Sequence, residues 1–285
     1  MGPNDMVDRF RGAIAGFAVG DAIGMPYEGL PKEDIEIESS EVEPVEWTDD
    51  TEQMLILAES LLSTTYFDPE DFAFRLCKIT SPKIGPTTAE ALRKLRSGVP
   101  WREAGVDSNT CGAAMRVMPL GIVYSFSLDL VESYAVMQAM VTHKGKAAIA
   151  GSVAVAIAFA CICMDYSDDE ILDEVCARCR QYDDLMAEKI EMARDSSIEE
   201  LGTTILATDV VPSALHCYLN SESYEECVLM AVRAGGDTDT IAAIAGGLKG
   251  AKLGHSAIPE RWGTFAEELL HIADELYRLY VRIST

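Results

Sequence analysis

The stretch "EWTDDTEQMLILAESLL", Glu46 to Leu62, decides how the chain is read. Met54, Leu55, Leu57, Ala58, Leu61 and Leu62 fall at i, i+1, i+3, i+4, i+7 and i+8, one broad apolar face of an α-helix. Thr48, Asp49, Asp50 and Thr51 stand directly before that run. Asp and Thr are favoured at helix N-termini, where their oxygens accept from free backbone N–H groups and negative charge meets the positive end of the dipole. The spacing predicts a helix that opens at this cluster and gathers its oxygens in one turn.

The same period recurs along the chain. Phe265, Leu269, Ile272, Leu276 and Leu279 or Tyr280 repeat it near the end. The segments "SLDLVESYAVMQAMV", "SDDEILDEVCARCRQY" and "SYEECVLMAVRAGG" each begin with Ser and carry acids in the first turn, the N-terminal signature of a helix. The run "AAIAGSVAVAIAFACICM", Ala147 to Met164, has transmembrane length, but it is rich in alanine and no second span follows. Small residues let helices approach closely, so it is read as the central helix of a bundle. Strand-like alternation is confined to Ile35 and Ile37, and Pro44 and the surrounding Glu and Ser dilute it into loop. No linker, low-complexity block or repeat divides the chain. The expectation is an all-α fold, a single compact domain over residues 1–285.

Composition narrows the function. The formal charge is −24, from 47 acidic and 23 basic residues. Such a field repels a phosphate backbone and an anionic leaflet, which argues against nucleic-acid and membrane partners and mildly favours a monomer. Cys176 and Cys179 form a C-x-x-C within a helical period, without a second pair at zinc-ribbon spacing, and are read as neighbours on one helix face. The eight cysteines suggest no disulfide framework, and the early apolar run, interrupted by Gly12, Gly16 and Gly20, has no clear cleavage region. A cytoplasmic location is expected.

A second acidic helix start lies far downstream, in "AGGDTDTIAAIAGGLKGAKLG", where Asp237, Thr238, Asp239 and Thr240 precede another apolar run. One such cluster reads as a cap. Two read differently, because a cap needs one oxygen and each of these helices offers two carboxylates plus hydroxyls in a turn. Adjacent carboxylates repel unless solvated or neutralised by a cation. If the two starts face each other, their ligand set suits hard divalent cations such as Mg²⁺ or Mn²⁺.

Three further stretches carry candidate chemistry. In "GFAVGDAIGMPYEG", Gly20, Gly24 and Gly29 are expected to break any long helix and Pro26 to fix a turn, leaving Glu28 on a constrained loop as a possible acid or base. In "KIGPTTAEALRKL", Gly85, Pro86, Thr87 and Thr88 open a helix whose N-terminus suits phosphate, and "DSNTCGAAMRVMPLG" offers Ser108, Asn109 and Gly112. His143, in "VTHKGKAAIAG", flanks the long alanine helix, where a structural bond is the common role.

Taken together, these residues resemble the ADP-ribosylglycohydrolase family, to which the dinitrogenase-reductase-activating glycohydrolases belong. The likeness runs from Arg9 to Trp262, with "RGAIAGFAVGDAIGMPYEG", "WTDDTEQ", "GPTTAEALRKLRSG", "CGAAMRVMPLG", "VTHKGKAAIAG", "GGDTDTIAAIAGGLKGA" and "IPERW" in family order. The resemblance implies an orthogonal all-α bundle with two divalent cations, Mg²⁺ or Mn²⁺. Their ligands would be Thr48, Asp49, Asp50, Asp237, Asp239 and Thr240, with Glu28 and Asp50 at the reacting end. Gly85, Thr87, Thr88, Ser108, Gly112 and His143 would line the substrate site. Many relatives read Asn-Gly where this chain has Cys111 before Gly112, so either Cys111 or Asn109 takes that place. The implied activity is metal-dependent hydrolysis at C1″ of the distal ribose of ADP-ribosyl groups on protein side chains. Free conjugates such as O-acetyl-ADP-ribose, or a non-catalytic crystallin-like binding role, are the alternatives.

Overall fold

The computed structural model describes residues 3–284. The chain begins with α1 (Pro3–Gly24), α2 (Asp49–Thr64), α3 (Pro69–Leu76), α4 (Pro86–Arg96) and the short α5 (Trp101–Ala104). It continues through α6 (Met118–Val123), α7 (Leu128–Met140), α8 (Lys146–Cys163), α9 (Asp168–Cys179) and α10 (Asp184–Met192). The last third holds α11 (Ile198–Leu201), α12 (Ala207–Leu219), α13 (Tyr224–Arg233), α14 (Thr238–Leu253), α15 (Glu260–Gly263) and α16 (Leu270–Ile283). Among the described residues extended pairing is limited to two isolated bridges, Val106 with His143 and Thr110 with Leu206. The fold is all-α, as the periodicity predicts.

The predicted starts are where the caps form. Thr48 is the N-cap of α2, its hydroxyl accepting from Asp50 N at 3.2 Å. Ser127, Ser167 and Ser223 cap α7, α9 and α13 in the same way, Ser167 in a full capping box with Glu170. The alanine-rich α8 is buried along nearly its whole length, packed against α6, α7, α9, α12 and α14. It is long and apolar enough to cross a membrane, and here its apolar surface is covered by other helices. Cys176 and Cys179 sit on the buried face of α9 with their thiols free, as the helical reading expects.

One expectation needs correction. The glycines of the first segment do not break the helix early, because α1 runs unbroken through Gly12, Gly16 and Gly20 to Gly24. Their spacing of four residues makes a stripe without side chains, and α14 lies on it in antiparallel sense: Gly12 faces Gly250, Gly20 faces Ala242 and Gly24 faces Thr238. A Cβ added at Gly20 would stand 2.1 Å from Ala242 O, so only glycine permits this approach. The helix propensity lost at each glycine, roughly 1 kcal/mol, is offset by backbone-to-backbone packing along the whole interface. The antiparallel register brings the end of α1 to the beginning of α14.

Candidate active site

Past Gly24, a 3-10 turn over Met25–Tyr27 carries the chain to Glu28. The loop is then pinned to the segment before α14, because Gly29 N donates to Gly236 O at 2.8 Å and Gly236 N donates to Leu30 O at 2.9 Å. Gly235 and Gly236 have φ of 73° and 75°, the left-handed region that makes this tight pairing feasible. As a result Glu28, Asp237 and Asp239 each place a carboxylate oxygen within 4.8 Å of the others.

The second acidic cluster arrives by another route. Asp21, one turn before the end of α1, is wholly buried and takes up the free N–H groups at the start of α2. It accepts from Thr48 N at 3.0 Å, Thr51 N at 3.1 Å and Thr51 Oγ1 at 2.6 Å. One carboxylate thus ties α2 to α1 and presents Asp49 and Asp50 toward the Asp237 to Thr240 turn. Sequence reasoning missed Asp21, although it is the one charged residue between Gly12 and Gly24 and so carried a signal.

The carboxylates crowd one another. Burial, then the charges of Asp239 and Asp21, push the Asp50 carboxyl well above the usual range. Burial and Asp237 push Asp239 up to about 9, and burial followed by Asp21 and Glu28 pushes Asp49 up to about 7, against the hydrogen bond from Gln53. Burial also raises Asp237, opposed by hydrogen bonds from its neighbours. Glu28, open to solvent on one side, is raised by burial on the other and by Asp237, with Lys83 pulling the opposite way. Asp50 Oδ2 and Asp239 Oδ1 are buried without any hydrogen-bond partner. Buried oxygens are rarely left so, and orphaned carboxylate oxygens that repel each other fit a cation between them. Carboxylates and the Thr240 hydroxyl make up most of the donors at this point, with the protonated Cys111 thiol beside Asp237, and this is a hard-cation donor set.

These acids form the floor of a cleft of about 340 Å³. One wall is the start of α4, with Gly85, Pro86, Thr87 and Thr88, and the other holds Thr110, Cys111, Gly112, Met115 and His143. Among the described residues Lys83 is the one lysine or arginine lining it, and the exposed Ile205 also borders it. Among the sequence-predicted residues, Glu28, Asp49, Asp50, Gly85, Thr87, Thr88, Cys111, Gly112, His143, Asp237, Asp239 and Thr240 all line the cleft. Thr48, Ser108 and Asn109 do not. Thr48 serves as the cap, and Ser108 lies behind the wall, bonded to Thr87 Oγ1 at 3.0 Å. Asn109 Oδ1 accepts from Ala147 N at the start of α8. Of Cys111 and Asn109, Cys111 lines the cleft and Asn109 does not, and Cys111 Sγ donates to Asp237 Oδ2 at 3.2 Å. Burial and the nearby acids raise this thiol well above its ordinary range, so it stays protonated.

His143 is buried, and burial together with the Arg116 charge lowers its pKa to about 3, so it is neutral at any working pH. It has the structural bonds expected of a helix-flanking histidine, to Thr142 Oγ1 at 2.7 Å and Thr110 Oγ1 at 3.0 Å, and it also borders the cleft.

The sequence model of the ADP-ribosylglycohydrolase family matches residues 2–284. An uncharacterized protein of Archaeoglobus fulgidus is 50% identical over 98% of this chain and 99% of its own length. The ADP-ribosylhydrolase ARH3 of Danio rerio is 29% identical over 98% of this chain and 92% of its own. An ADP-ribosylarginine hydrolase of Pseudomonas putida is 27% identical over 96% of this chain and 79% of its own. A solved structure described as an ADP-ribosylglycohydrolase-related protein complex superposes with a TM-score of 0.84 at 31% identity, covering 97% of this chain and 99% of that one.

Proposed function

The chain belongs to the ADP-ribosylglycohydrolase family, and from that premise we propose that it hydrolyses the glycosidic bond at C1″ of the distal ribose of ADP-ribosyl groups on protein side chains. Two divalent cations, Mg²⁺ or Mn²⁺, are the proposed cofactors, which Asp49 and Asp50 from α2 and Asp237, Asp239 and Thr240 from α14 would hold; Thr48, expected among the ligands, is occupied as the N-cap of α2 and lies outside the cleft lining. The single observation that carries this reading is the meeting of the two acidic helix starts at one point, with Asp50 Oδ2 and Asp239 Oδ1 left without partners. When bound, the cations would supply the positive charge that offsets these carboxylates and would act as Lewis acids toward the sugar oxygens.

The chain's own groups then account for the rest. Glu28 stands beside Asp237 and Asp239 with a raised pKa, which suits a group that takes a proton from the attacking water and gives it to the departing nitrogen or oxygen. The bond from C1″ to water oxygen forms as the bond from C1″ to the leaving atom breaks. Asp50 presents an unpartnered oxygen to the same space and is assigned with Glu28 to the reacting end. The diphosphate is assigned to the first turn of α4, where Gly85 caps without a side chain and the N–H groups of Thr87 and Thr88 are free to donate. Lys83 stands beside that turn, and the His143 ring faces it from the opposite wall.

The test is a panel of arginine-linked, serine-linked and acetyl-linked ADP-ribose, each assayed with Mg²⁺, with Mn²⁺ and with chelator. Release of ADP-ribose from a protein-linked substrate, lost on chelation, is expected. Turnover of the acetyl conjugate alone would reassign the protein to free conjugates. Binding of ADP-ribose with no turnover of any member would leave a binding protein.

A further inference from the structure

Arg116 lies behind the cleft, wholly buried, between α2, α7 and the Thr142–His143 pair. Its Nη1 donates to Gln53 Oε1 at 2.8 Å, its Nε to Gln138 Oε1 at 2.8 Å, and its Nη2 to Gln138 O at 3.1 Å and Thr142 Oγ1 at 2.7 Å. Every partner is neutral. Burial lowers its pKa to about 9, and Asp49 is the acid that acts against this. A buried cation with no carboxylate in contact is costly compared with an apolar side chain of the same volume, so packing alone does not account for it.

A guanidinium can only donate, and that sets the direction of every bond beyond it. Gln53 must turn its amide oxygen toward Arg116, so its amide nitrogen faces Asp49, where it donates to Oδ2 at 2.6 Å. Thr142 Oγ1 must accept from Arg116, which leaves its own hydrogen free to donate to His143 Nδ1 at 2.7 Å, and Thr110 Oγ1, donating to Thr87, is left to accept on the other side of the ring. With Nδ1 accepting, the ring proton resides on Nε2, which donates to Thr110 Oγ1 at 3.0 Å. Thr110 passes its hydrogen toward Thr87 Oγ1, at 3.5 Å on the opposite wall. The ring itself is flush with the loop, because a Cβ on Gly112 would stand 2.9 Å from His143 Nε2.

We infer that Arg116 is a positioning residue that sets the donor polarity of the cleft through two branches, one through Gln53 to Asp49 and one through Thr142 to the Nε2–H tautomer of His143. The inference rests on the hydrolase reading only in naming Asp49 a metal ligand and the Thr110 side the substrate side. The branches are separable, and this separability is what an experiment can read.

The test uses the intact protein with ¹⁵N-labelled histidine, reading the tautomer of His143 from its imidazole nitrogen shifts, beside calorimetric titrations with Mn²⁺ and with ADP-ribose. Wild type is expected to hold His143 as Nε2–H. Thr142→Val removes the hydroxyl at nearly constant volume; the Nδ1–H tautomer should appear and ADP-ribose should bind about tenfold more weakly, the usual scale for one lost hydrogen bond, with Mn²⁺ affinity kept. Thr142→Ser, which keeps a hydroxyl, should restore both. Gln53→Leu should weaken Mn²⁺ about tenfold and leave the tautomer unchanged. Arg116→Met should do both, and if it does not fold, the single-branch variants decide. An Nδ1–H ring in wild type, or Val and Ser variants with the same tautomer, would overturn the inference. A wild type with the expected tautomer that releases ADP-ribose from no substrate would remove the hydrolase reading and leave this one standing.

Discussion

Gly24 and Thr238 meet backbone to backbone: Thr238 Oγ1 donates to Gly24 O at 2.8 Å, and a Cβ on Gly24 would stand 2.4 Å from Thr238 O. The contact closes the α1–α14 interface at the site, four residues before Glu28 and beside Asp237 and Asp239. Gly24→Ala must push the two helix ends apart, and overpacking of this kind costs roughly 1–3 kcal/mol. Gly12→Ala makes a comparable clash at the far end, 2.1 Å from Gly250 O. Both variants are expected to melt earlier than wild type, but only Gly24→Ala should also lose Mn²⁺ affinity in a calorimetric titration. Equal metal affinity in the two would separate the helix register from the site.

Glu28 is the proposed proton carrier, and its partners suit it for that task better than for holding substrate, since among the described residues no hydrogen bond commits its carboxylate. Glu28→Gln keeps the shape and removes the proton. Turnover should fall by roughly 10²–10⁴-fold, the ordinary contribution of a general acid or base, while ADP-ribose binding changes little. A variant whose Kd rises and whose kcat is kept would make Glu28 a binding residue.

Among the described residues Lys83 is the one lysine or arginine in a cleft floored by acids, in a protein of net charge −24. Its loop is fixed to α2, because Thr80 N and Ser81 N both donate to the Glu52 carboxylate at 2.9 Å. Lys83→Met is expected to raise KM about tenfold with kcat nearly unchanged, because a charge on the diphosphate is felt equally in ground and transition states. It should also flatten the salt dependence of KM. No change in either would remove Lys83 from the binding wall.

How much of this was legible in the sequence follows from the range of each interaction. The caps at Thr48, Ser127, Ser167 and Ser223 and the two acidic clusters are local patterns, written within one helical turn, and the structure has helix starts at all of them. The glycines of α1 were legible as glycines but not as an interface, because their partner stripe lies more than two hundred residues away. Read locally, a glycine weakens a helix; facing another backbone, it becomes the contact. Asp21 and Arg116 were hidden for the same reason, since what distinguishes them is what they touch: Thr48 and Thr51 for one, Gln53, Gln138 and Thr142 for the other.

The crowding of carboxylates makes stability depend on pH, and metal should remove much of that dependence. Asp239 is pushed up to about 9 and Asp49 to about 7, with Asp50 and Asp237 also raised. In the unfolded chain these groups ionise near pH 4. Between those limits the folded, metal-free protein holds protons that the unfolded chain has released, so stability is present at low pH and is lost as pH rises. The slope is about 1.4 kcal/mol per pH unit for each proton so retained. Below pH 6.5 the buried His143, lowered to about 3, acts with the opposite sign, because there the unfolded chain binds the extra proton. The clean window is therefore pH 6.5 to 8, above the histidine range and below that of the unfolded cysteines. Melting in chelator should move to lower temperature across this window. Saturating Mn²⁺ holds the carboxylates ionised in the folded state, so the slope should flatten, and calorimetry in buffers of different ionisation heat should register proton release on binding. The same slope with and without Mn²⁺, or binding without proton release, would show that these carboxylates do not meet the cation.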